Sequence, residues 1–166
     1  PNLRMVGPAV PALQARIEQV AREQGVAGML QIVAGQSHTV LAACDATLIA
    51  SGTATLEAAL FKRPMVIGYH MHPLSWWLMK RKQLQPWVGL PNILCGEFVV
   101  PELIQDAATP QALCDATLQW LDAKVQHPAT ITALEQRFSA LHASLRRDTS
   151  QLAADAIEKI LATAAV

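Results

Sequence analysis

The sequence has few cysteines, no excess charge of either sign and no long apolar run. Its 166 residues include three cysteines without CxxC spacing, so we expect reduced thiols in the cytosol, without a disulfide framework or a zinc site. Thirteen basic and thirteen acidic residues balance, which leaves no overall field to attract nucleic acid. No apolar run reaches the roughly 18 residues that a membrane-spanning helix needs, and no signal peptide is visible.

Apolar residues make up 52% of the chain and charged residues 16%. A chain of this length and composition can bury one hydrophobic core, which excludes wholesale disorder. The opening residues, PNLRMV, lack an initiator methionine and already look like a buried strand. We therefore expect the chain to be a fragment of a longer protein.

Short apolar runs alternate with helical periodicity in the first half of the chain. We predict strands at residues 3–6, 29–33, 47–50 and 65–68, and helices at residues 9–24, 37–44, 55–61 and 74–83. Helices between strands indicate βαβ units and a parallel sheet. The continuous apolar character of the strands indicates that helices cover both faces of that sheet.

The pattern changes in the middle of the chain. The segment VGLPNILCGEFVVPELIQD predicts a fifth short strand and a loop with two prolines. Three helix patterns follow at residues 110–124, 128–146 and 150–164, with Thr109 and Ser150 as the expected N-caps of the first and the last. The predicted fold class is α/β, a Rossmann-like parallel sheet with helices on both faces, followed by C-terminal helices.

The segment LIASGTATLEAAL joins the third strand to the next helix through Ser51, Gly52 and Thr53. Ligands bind outside the carboxyl ends of parallel strands, and the free N–H groups at a helix start attract anions. Gly52 lets the backbone approach a phosphate closely, while Thr53 and Thr55 add hydroxyl donors. The absence of a following Gly-Lys-Ser/Thr excludes a P-loop.

Glu57 lies about one turn into this helix. Its carboxylate would repel an adjacent phosphate but could accept hydrogen bonds from a ribose diol. A phosphate seat beside such a carboxylate is typical of a nucleotide site. In a simpler interpretation, Ser51 or Thr53 caps the helix and Glu57 complements its dipole. The spacing alone leaves both interpretations open.

The segments ASGTATLEAALFKRPMVIGYHMHPLSWWLMKR and LPNILCGEFVVPELIQD closely resemble the lipid-A-disaccharide synthase family. These enzymes are glycosyltransferases of the GT-B type, with two Rossmann domains, and the likeness is most specific over residues 45–106. The family joins UDP-2,3-diacylglucosamine to 2,3-diacylglucosamine 1-phosphate, giving the β-1,6-linked lipid A disaccharide and UDP. The resemblance implies the C-terminal, donor-binding half of such an enzyme.

The resemblance also implies roles for single residues. The residues expected at the donor site are Ser51, Gly52, Thr53 and Thr55 along the diphosphate, Glu57 on the ribose hydroxyls, and Asn92 at the same cleft. We expect no metal and no cofactor. The family's acceptor site, its essential acidic residue and its Gly-Ser-Arg motif are not found in this chain, so we expect no catalytic residue here and no transferase reaction from the chain alone. We divide the chain into a UDP-sugar-binding domain (1–146) that lacks its first strand and a crossover helix (147–166).

Two further groups of residues have simpler interpretations. His70 and His72 in GYHMHP lack a nearby cysteine or carboxylate and make a poor metal site. We interpret them as loop residues near the cleft, with Tyr69 or His70 as a candidate donor contact. Glu97 and Glu102 flank the segment FVVP, where a solvated loop is favoured over a general base.

The segment SWWLMKRK combines Trp76 and Trp77 with Lys80 and Arg81. A helix that is apolar all round with a basic end can lie at a membrane interface, and core packing with a solvated basic end is the alternative. The resemblance favours the membrane, because the family acts on acylated lipids. It implies a cytoplasmic protein that is peripheral on the cytoplasmic face of the bacterial inner membrane.

The last helix pattern carries an apolar stripe of Ala153, Ile157, Ile160, Leu161 and Ala164. In GT-B enzymes the final helix commonly packs on the N-terminal domain, which this chain lacks. We therefore predict a homodimer in which this helix is swapped or lies at the interface.

Two other functions stay open beside the transferase. One is a UDP-sugar-binding module that never catalyses. The other is a relative that uses UDP-N-acetylglucosamine, although the sequence pattern SGTATLE…MVIGY…LPN fits such relatives less well.

Overall fold

The structure, a computed structural model, describes residues 3–164, and within them strands alternate with helices. The elements are β1 (Met5–Ala9), α1 (Pro11–Glu23), β2 (Leu30–Ala34), α2 (Ser37–Ala43), β3 (Thr47–Ile49), α3 (Thr53–Leu60), β4 (Met65–Tyr69), α4 (Pro73–Lys82), α5 (Leu90–Cys95), β5 (Glu102–Ile104), α6 (Pro110–Gln126), α7 (Pro128–Leu145) and α8 (Thr149–Ala164). A 3₁₀ turn over Gln105–Ala107 follows β5. The predicted α/β class is confirmed.

The strands pair in parallel, but in two groups rather than in one sheet. β1 pairs with β2, and Met5 lies opposite Leu30. β4 lies between β3 and β5, so Ile67 pairs with Ile49 on one side and with Glu102 on the other. Among the described strands none bridges β1 and β3. Each of these two strands therefore has one edge without a described partner, and the continuous sheet that we expected is not observed.

β1 runs through Gly7 and Pro8, where the sequence predicted its end. Met5 N–H donates to Met29 O (3.1 Å), so the backbone groups of alternate residues from Met5 onward face β2. The nitrogen of Pro8 therefore faces the opposite edge, which has no described partner. Proline is tolerated in a strand at such a position, because no ladder hydrogen bond is lost there.

The structure tests the helix ends that the sequence predicted. Thr109 is confirmed as the N-cap of α6, since its hydroxyl accepts a hydrogen bond from Ala112 N–H at 3.1 Å. The prediction for Ser150 is wrong, because α8 begins one residue earlier and the Asp148 carboxylate accepts from Gln151 N–H at 3.0 Å. The sequence also missed α5, whose end is set by Gly96 in a left-handed conformation.

The core forms where α7 packs on α3 and the three-stranded group. Its buried members are Leu41, Ala58, Ala59, Met65, Ile67, Val100, Leu134, Phe138 and Leu141. Trp120 of α6 donates its indole N–H to Met65 O at 3.0 Å. Arg63, just before β4, donates to the carbonyl groups of Leu41 and Ala42 at the end of α2. These contacts hold α2, α6 and β4 in fixed relative positions.

α8 contributes no buried side chain among those described. All of its residues from Thr149 to Thr163 are exposed, including four large apolar side chains, Leu152, Ile157, Ile160 and Leu161. The side chain of Ala164, which belongs to the predicted stripe, lies outside the described set. The amphipathic face predicted from the sequence is therefore present and uncovered.

Candidate functional site

The start of α3 lies at the carboxyl end of the three-stranded group. Because β3, β4 and β5 are parallel, their carboxyl ends share one edge. α3 begins at Thr53, shortly after β3 ends, and Tyr69 is the half-buried last residue of β4. The fold thus brings the Ser51–Thr53 turn and Tyr69 to the edge where ligands bind in open parallel sheets.

Gly52 has a backbone conformation that side chains rarely allow, with φ 140° and ψ −168° at the N-cap of α3. No described atom lies within 4 Å of the position that a Cβ would occupy. The conformation itself, rather than crowding, therefore requires glycine. The same open space gives a ligand access to the backbone of the turn.

The first turn of α3 offers backbone donors. Thr53 and Ala54 are exposed, and within residues 3–164 no group accepts a hydrogen bond from either N–H. The next N–H group, that of Thr55, donates back to Gly52 O at 3.1 Å. With the positive end of the helix dipole at the same place, an anion is stabilised here.

Thr55 differs from Thr53 because its side chain is fully buried. Its hydroxyl donates to Gly52 O at 2.7 Å, which fixes the shape of the turn. A direct contact between Thr55 and a diphosphate stays a prediction, since the hydroxyl is directed into the protein. Ser51 is half-buried and Thr53 is exposed, so these two side chains are the accessible hydroxyls.

Glu57 pairs with a residue that the sequence analysis missed. Its Oε2 lies 3.3 Å from Nε2 of His38, in the first turn of α2, and the Glu57 side chain is 41% exposed. The imidazole of His38 also packs against the ring of Phe61, with centroids 5.7 Å apart. No described residue bonds to the second carboxylate oxygen, so Glu57 can accept a ligand hydroxyl. A lone histidine on a short helix carries no motif, and only the fold reveals this contact.

Asn92 is fully buried and has all of its hydrogen bonds within the protein. Its Nδ2 donates to Val100 O (2.9 Å) and to Glu102 Oε1 (2.8 Å). Its Oδ1 accepts from the N–H groups of Val99 (2.8 Å) and Val100 (3.0 Å). Both N–H groups of the side-chain amide therefore donate a hydrogen bond, and its oxygen accepts two, which is the full number an amide can form. The structure does not bring the Asn92 side chain to the surface beside Glu57, and a ligand contact by Asn92 stays a prediction.

Glu102 is half-buried, so its interpretation as a solvated loop residue is wrong. Its carboxylate accepts from the N–H groups of Val88 and Gly89, at 2.8 Å each, in addition to Asn92. It therefore fastens the start of α5 to β5. Glu97, by contrast, is exposed and forms an ion pair with Arg137.

Comparison with known proteins places the chain in a family. The model of a family described as lipid-A-disaccharide synthetase matches residues 1–157. The chain belongs to this family. A lipid-A-disaccharide synthase of Verminephrobacter eiseniae is 74% identical over 162 residues, which cover 98% of this chain and 42% of that protein. The synthase of Albidiferax ferrireducens is 69% identical over 161 residues (97% and 41%), and that of Pseudomonas syringae pv. syringae is 48% identical over 162 residues (97% and 40%).

The resemblance found in the sequence is therefore confirmed. The match to the synthetase family reaches residue 157, so it extends beyond residues 45–106 and includes α6, α7 and the first part of α8. The chain spans 42% and 41% of the length of the first two relatives.

In this member of the synthetase family, α4 contributes no buried residue to the core. Trp77 is 52% exposed, and Trp76 is half-buried. The guanidinium of Arg81 lies 4.2 Å from the ring centroid of Trp77, and Lys80 Nζ lies 6.0 Å from that of Trp76. Aromatic, aliphatic and basic groups thus share one exposed helix.

Cys44 and Cys95 are not activated as nucleophiles. Burial raises the pKa of Cys44 and of Cys95, and this effect outweighs the opposing charges of Arg63 and Arg137. Among the described residues, no group of three histidine, cysteine or acidic side chains could hold a metal ion. Within residues 3–164, no helix combines the length and the hydropathy that a membrane-spanning segment requires.

Proposed function

We propose that this chain supplies the donor-nucleotide site of a glycosyltransferase of lipid A biosynthesis. The whole enzyme transfers 2,3-diacylglucosamine from UDP-2,3-diacylglucosamine to 2,3-diacylglucosamine 1-phosphate and releases UDP. The relatives, which are lipid-A-disaccharide synthases, support this reaction. Because the chain spans 42% of the first relative, we assign the acceptor site and the catalytic residues to the rest of the enzyme. In the proposed division, residues 1–146 bind the UDP-sugar and residues 147–166 form a crossover helix.

One observation carries the proposal, namely the combination of Gly52, free N–H groups and the Glu57 carboxylate within two turns of α3. The N–H groups bind the diphosphate and stabilise the negative charge that UDP carries as the leaving group. Glu57 accepts from the ribose hydroxyls through the oxygen that His38 leaves free. The accessible hydroxyls of Ser51 and Thr53 line the diphosphate.

Calorimetric titration of UDP into the 166-residue chain tests this proposal. We expect saturable binding of UDP and weaker binding of inorganic phosphate, because phosphate lacks the ribose that Glu57 holds. Competition between UDP-2,3-diacylglucosamine and UDP-N-acetylglucosamine then separates the proposed donor from that of a non-acylated relative. Absence of UDP binding to a chain with a native circular dichroism spectrum would contradict the proposal.

Gly52→Val is expected to weaken UDP binding by about tenfold or more and to leave uridine nearly unaffected. Valine cannot adopt φ 140° without strain, and its side chain would fill the open space before the diphosphate donors. Gly28→Val is the matched control, since an added Cβ there also meets no atom within 4 Å and the backbone is unstrained. Equal loss of uridine and UDP would point to misfolding instead.

We propose that α4 contacts the inner membrane from its cytoplasmic face through Trp76, Trp77, Lys80 and Arg81. The support is a helix without buried residues, on which apolar rings and cationic groups lie together. Rings of this kind insert at the lipid headgroup level, while lysine and arginine attract anionic lipids.

Trp76→Ser combined with Trp77→Ser is expected to lower partitioning onto anionic vesicles by roughly tenfold. The melting temperature should stay nearly constant, because neither ring belongs to the core. Val125→Ser, at an exposed apolar position on α6, should change neither quantity. A large fall in the melting temperature of the double variant would assign the rings to packing.

We also propose a homodimer formed through α8, either by exchange of the helix or by direct contact. The support is the exposed apolar face that contains Ile157, Ile160 and Leu161. Leaving such a face in water costs about 25 cal/mol per Å² of apolar area. A second copy presents the same face and can cover it.

Light scattering at micromolar concentration is expected to give twice the chain mass, which is 17.9 kDa for the monomer. Ile157→Glu combined with Ile160→Glu should yield the monomer, because buried unpaired carboxylates oppose the contact. Gln151→Glu, which lies on the opposite side of α8, should leave the dimer intact. A monomeric wild-type chain would rule this arrangement out.

A further inference from the structure

Gln105 holds the loop that follows β4. Its Oε1 accepts from Met71 N–H at 2.6 Å, and its Nε2 donates to Met71 O at 3.0 Å. One side-chain amide thus satisfies both backbone groups of one residue, as a neighbouring strand would. Tyr69 pairs with Ile104 at the last position of the β4–β5 ladder. The two hydrogen bonds between the Gln105 side chain and the Met71 backbone, called the Gln105 clamp below, extend this pairing beyond the ends of both strands.

The backbone of Gln105 is held in an unfavourable conformation. Its φ is 55°, a value that only one other non-glycine residue of the described chain, Lys62, approaches. Lys62 closes α3 in the ordinary way, with its N–H donating to Ala59 O at 2.9 Å. A glutamine in this region costs free energy that glycine would not. The residue with the strained backbone, Gln105, is therefore also the residue whose side chain forms the clamp.

The position of the clamp relative to the proposed nucleotide site indicates which part of a ligand lies near Gln105. The nucleotide site lies at the end of β3, and Glu57 pairs with His38 on α2, so the ribose lies on the side of α2. β3 pairs with β4 and β4 with β5, all in parallel, so the carboxyl ends of the three strands share one edge. A group attached beyond the diphosphate can extend along this edge over the ends of β4 and β5, where the loop held by Gln105 lies.

We propose that Gln105 is a positioning residue for the sugar of the donor. It fixes the backbone of Met71 and thereby the adjacent Tyr69 and His70, which face the sugar beyond the diphosphate. This inference rests on the proposed donor site. The chain passes from this loop directly into α4 at Pro73, so the sugar end of the site adjoins the exposed apolar helix.

Calorimetry with two ligands tests the role of Gln105 in the 166-residue chain. The probes are UDP and UDP-glucosamine that carries short, water-soluble acyl groups at positions 2 and 3. Gln105→Ala should lower the affinity for the UDP-sugar roughly five- to tenfold more than the affinity for UDP, which is the effect of losing hydrogen bonds. The affinity for UDP itself should stay within about twofold of the wild type, because UDP does not reach the loop.

Two further variants separate the clamp from the backbone strain. Gln105→Gly relaxes the backbone strain but removes the clamp. Its affinity for the UDP-sugar should therefore fall by as much as that of Gln105→Ala. Gln105→Glu keeps an acceptor for Met71 N–H and loses the donor to Met71 O, so an intermediate loss is expected. Gln111→Ala is the control, because Gln111 is exposed and bonds only to Asp115 on its own helix.

An equal fall in the affinities for UDP and the UDP-sugar in the Gln105 variants would overturn the inference, since a merely structural role affects the binding of both ligands. Unchanged affinity for both would overturn it as well. In either case UDP binding by the wild type would leave the proposed donor site standing. A wild-type chain that binds no UDP would overturn both the donor site and the role of Gln105.

Discussion

Asn92→Ala is expected to lower the free energy of unfolding by about 3 kcal/mol or more. The substitution removes four hydrogen bonds at a site with no solvent exposure. The buried N–H group of Val100 would lose its acceptor, whereas Val99 N–H keeps Glu97 O and the Glu102 carboxylate keeps the N–H groups of Val88 and Gly89. Urea unfolding followed by circular dichroism measures the loss, and an unchanged slope shows that the unfolded state is unaffected.

Asn92→Leu distinguishes lost hydrogen bonds from a cavity, because leucine has the same branched arrangement of side-chain heavy atoms, leaves no empty space and carries no polar groups. We expect the leucine variant to be at least as unstable as the alanine variant. Recovery of stability with leucine would show that packing, rather than the hydrogen-bond network, holds α5 to β5. A loss below about 1 kcal/mol with alanine would contradict the network, since exposed sites give changes of that size.

Glu57→Ala is expected to weaken the binding of UDP by about 1–3 kcal/mol, the range for hydrogen bonds to a charged group. Uridine should lose a similar amount, because the ribose is the group that Glu57 holds. The affinity of 2′,3′-dideoxyuridine should not change between wild type and variant, since this ligand lacks both hydroxyls. Calorimetry of the three ligands measures these differences.

Two variants serve as controls for Glu57. Glu158→Ala removes an exposed carboxylate on α8 and should leave all three affinities unchanged. His38→Ala should have a smaller effect than Glu57→Ala, because an exposed pair contributes less than about 1 kcal/mol. If uridine and UDP bind to Glu57→Ala as tightly as to the wild type, Glu57 does not contact the ribose.

The sequence predicted the elements that depend on local signals. Continuous apolar runs gave all five strands, although β1 was placed too early. Thr109 and Pro110 correctly marked the start of α6, because a cap and a first-turn proline act within a few residues of their own backbone. Gly52 was also identified from the sequence, since a glycine between a strand and a helix indicates a special turn.

The tertiary structure decided the features that join residues far apart in the chain. The division of the strands into two groups, the His38–Glu57 pair and the Gln105–Met71 clamp have no local signature. The physical reason is that such hydrogen bonds form only after packing places the partners together. Caps, turns and apolar periodicity act through neighbouring residues and can be identified in the sequence, whereas the orientation of a polar side chain depends on which distant group the fold brings to it.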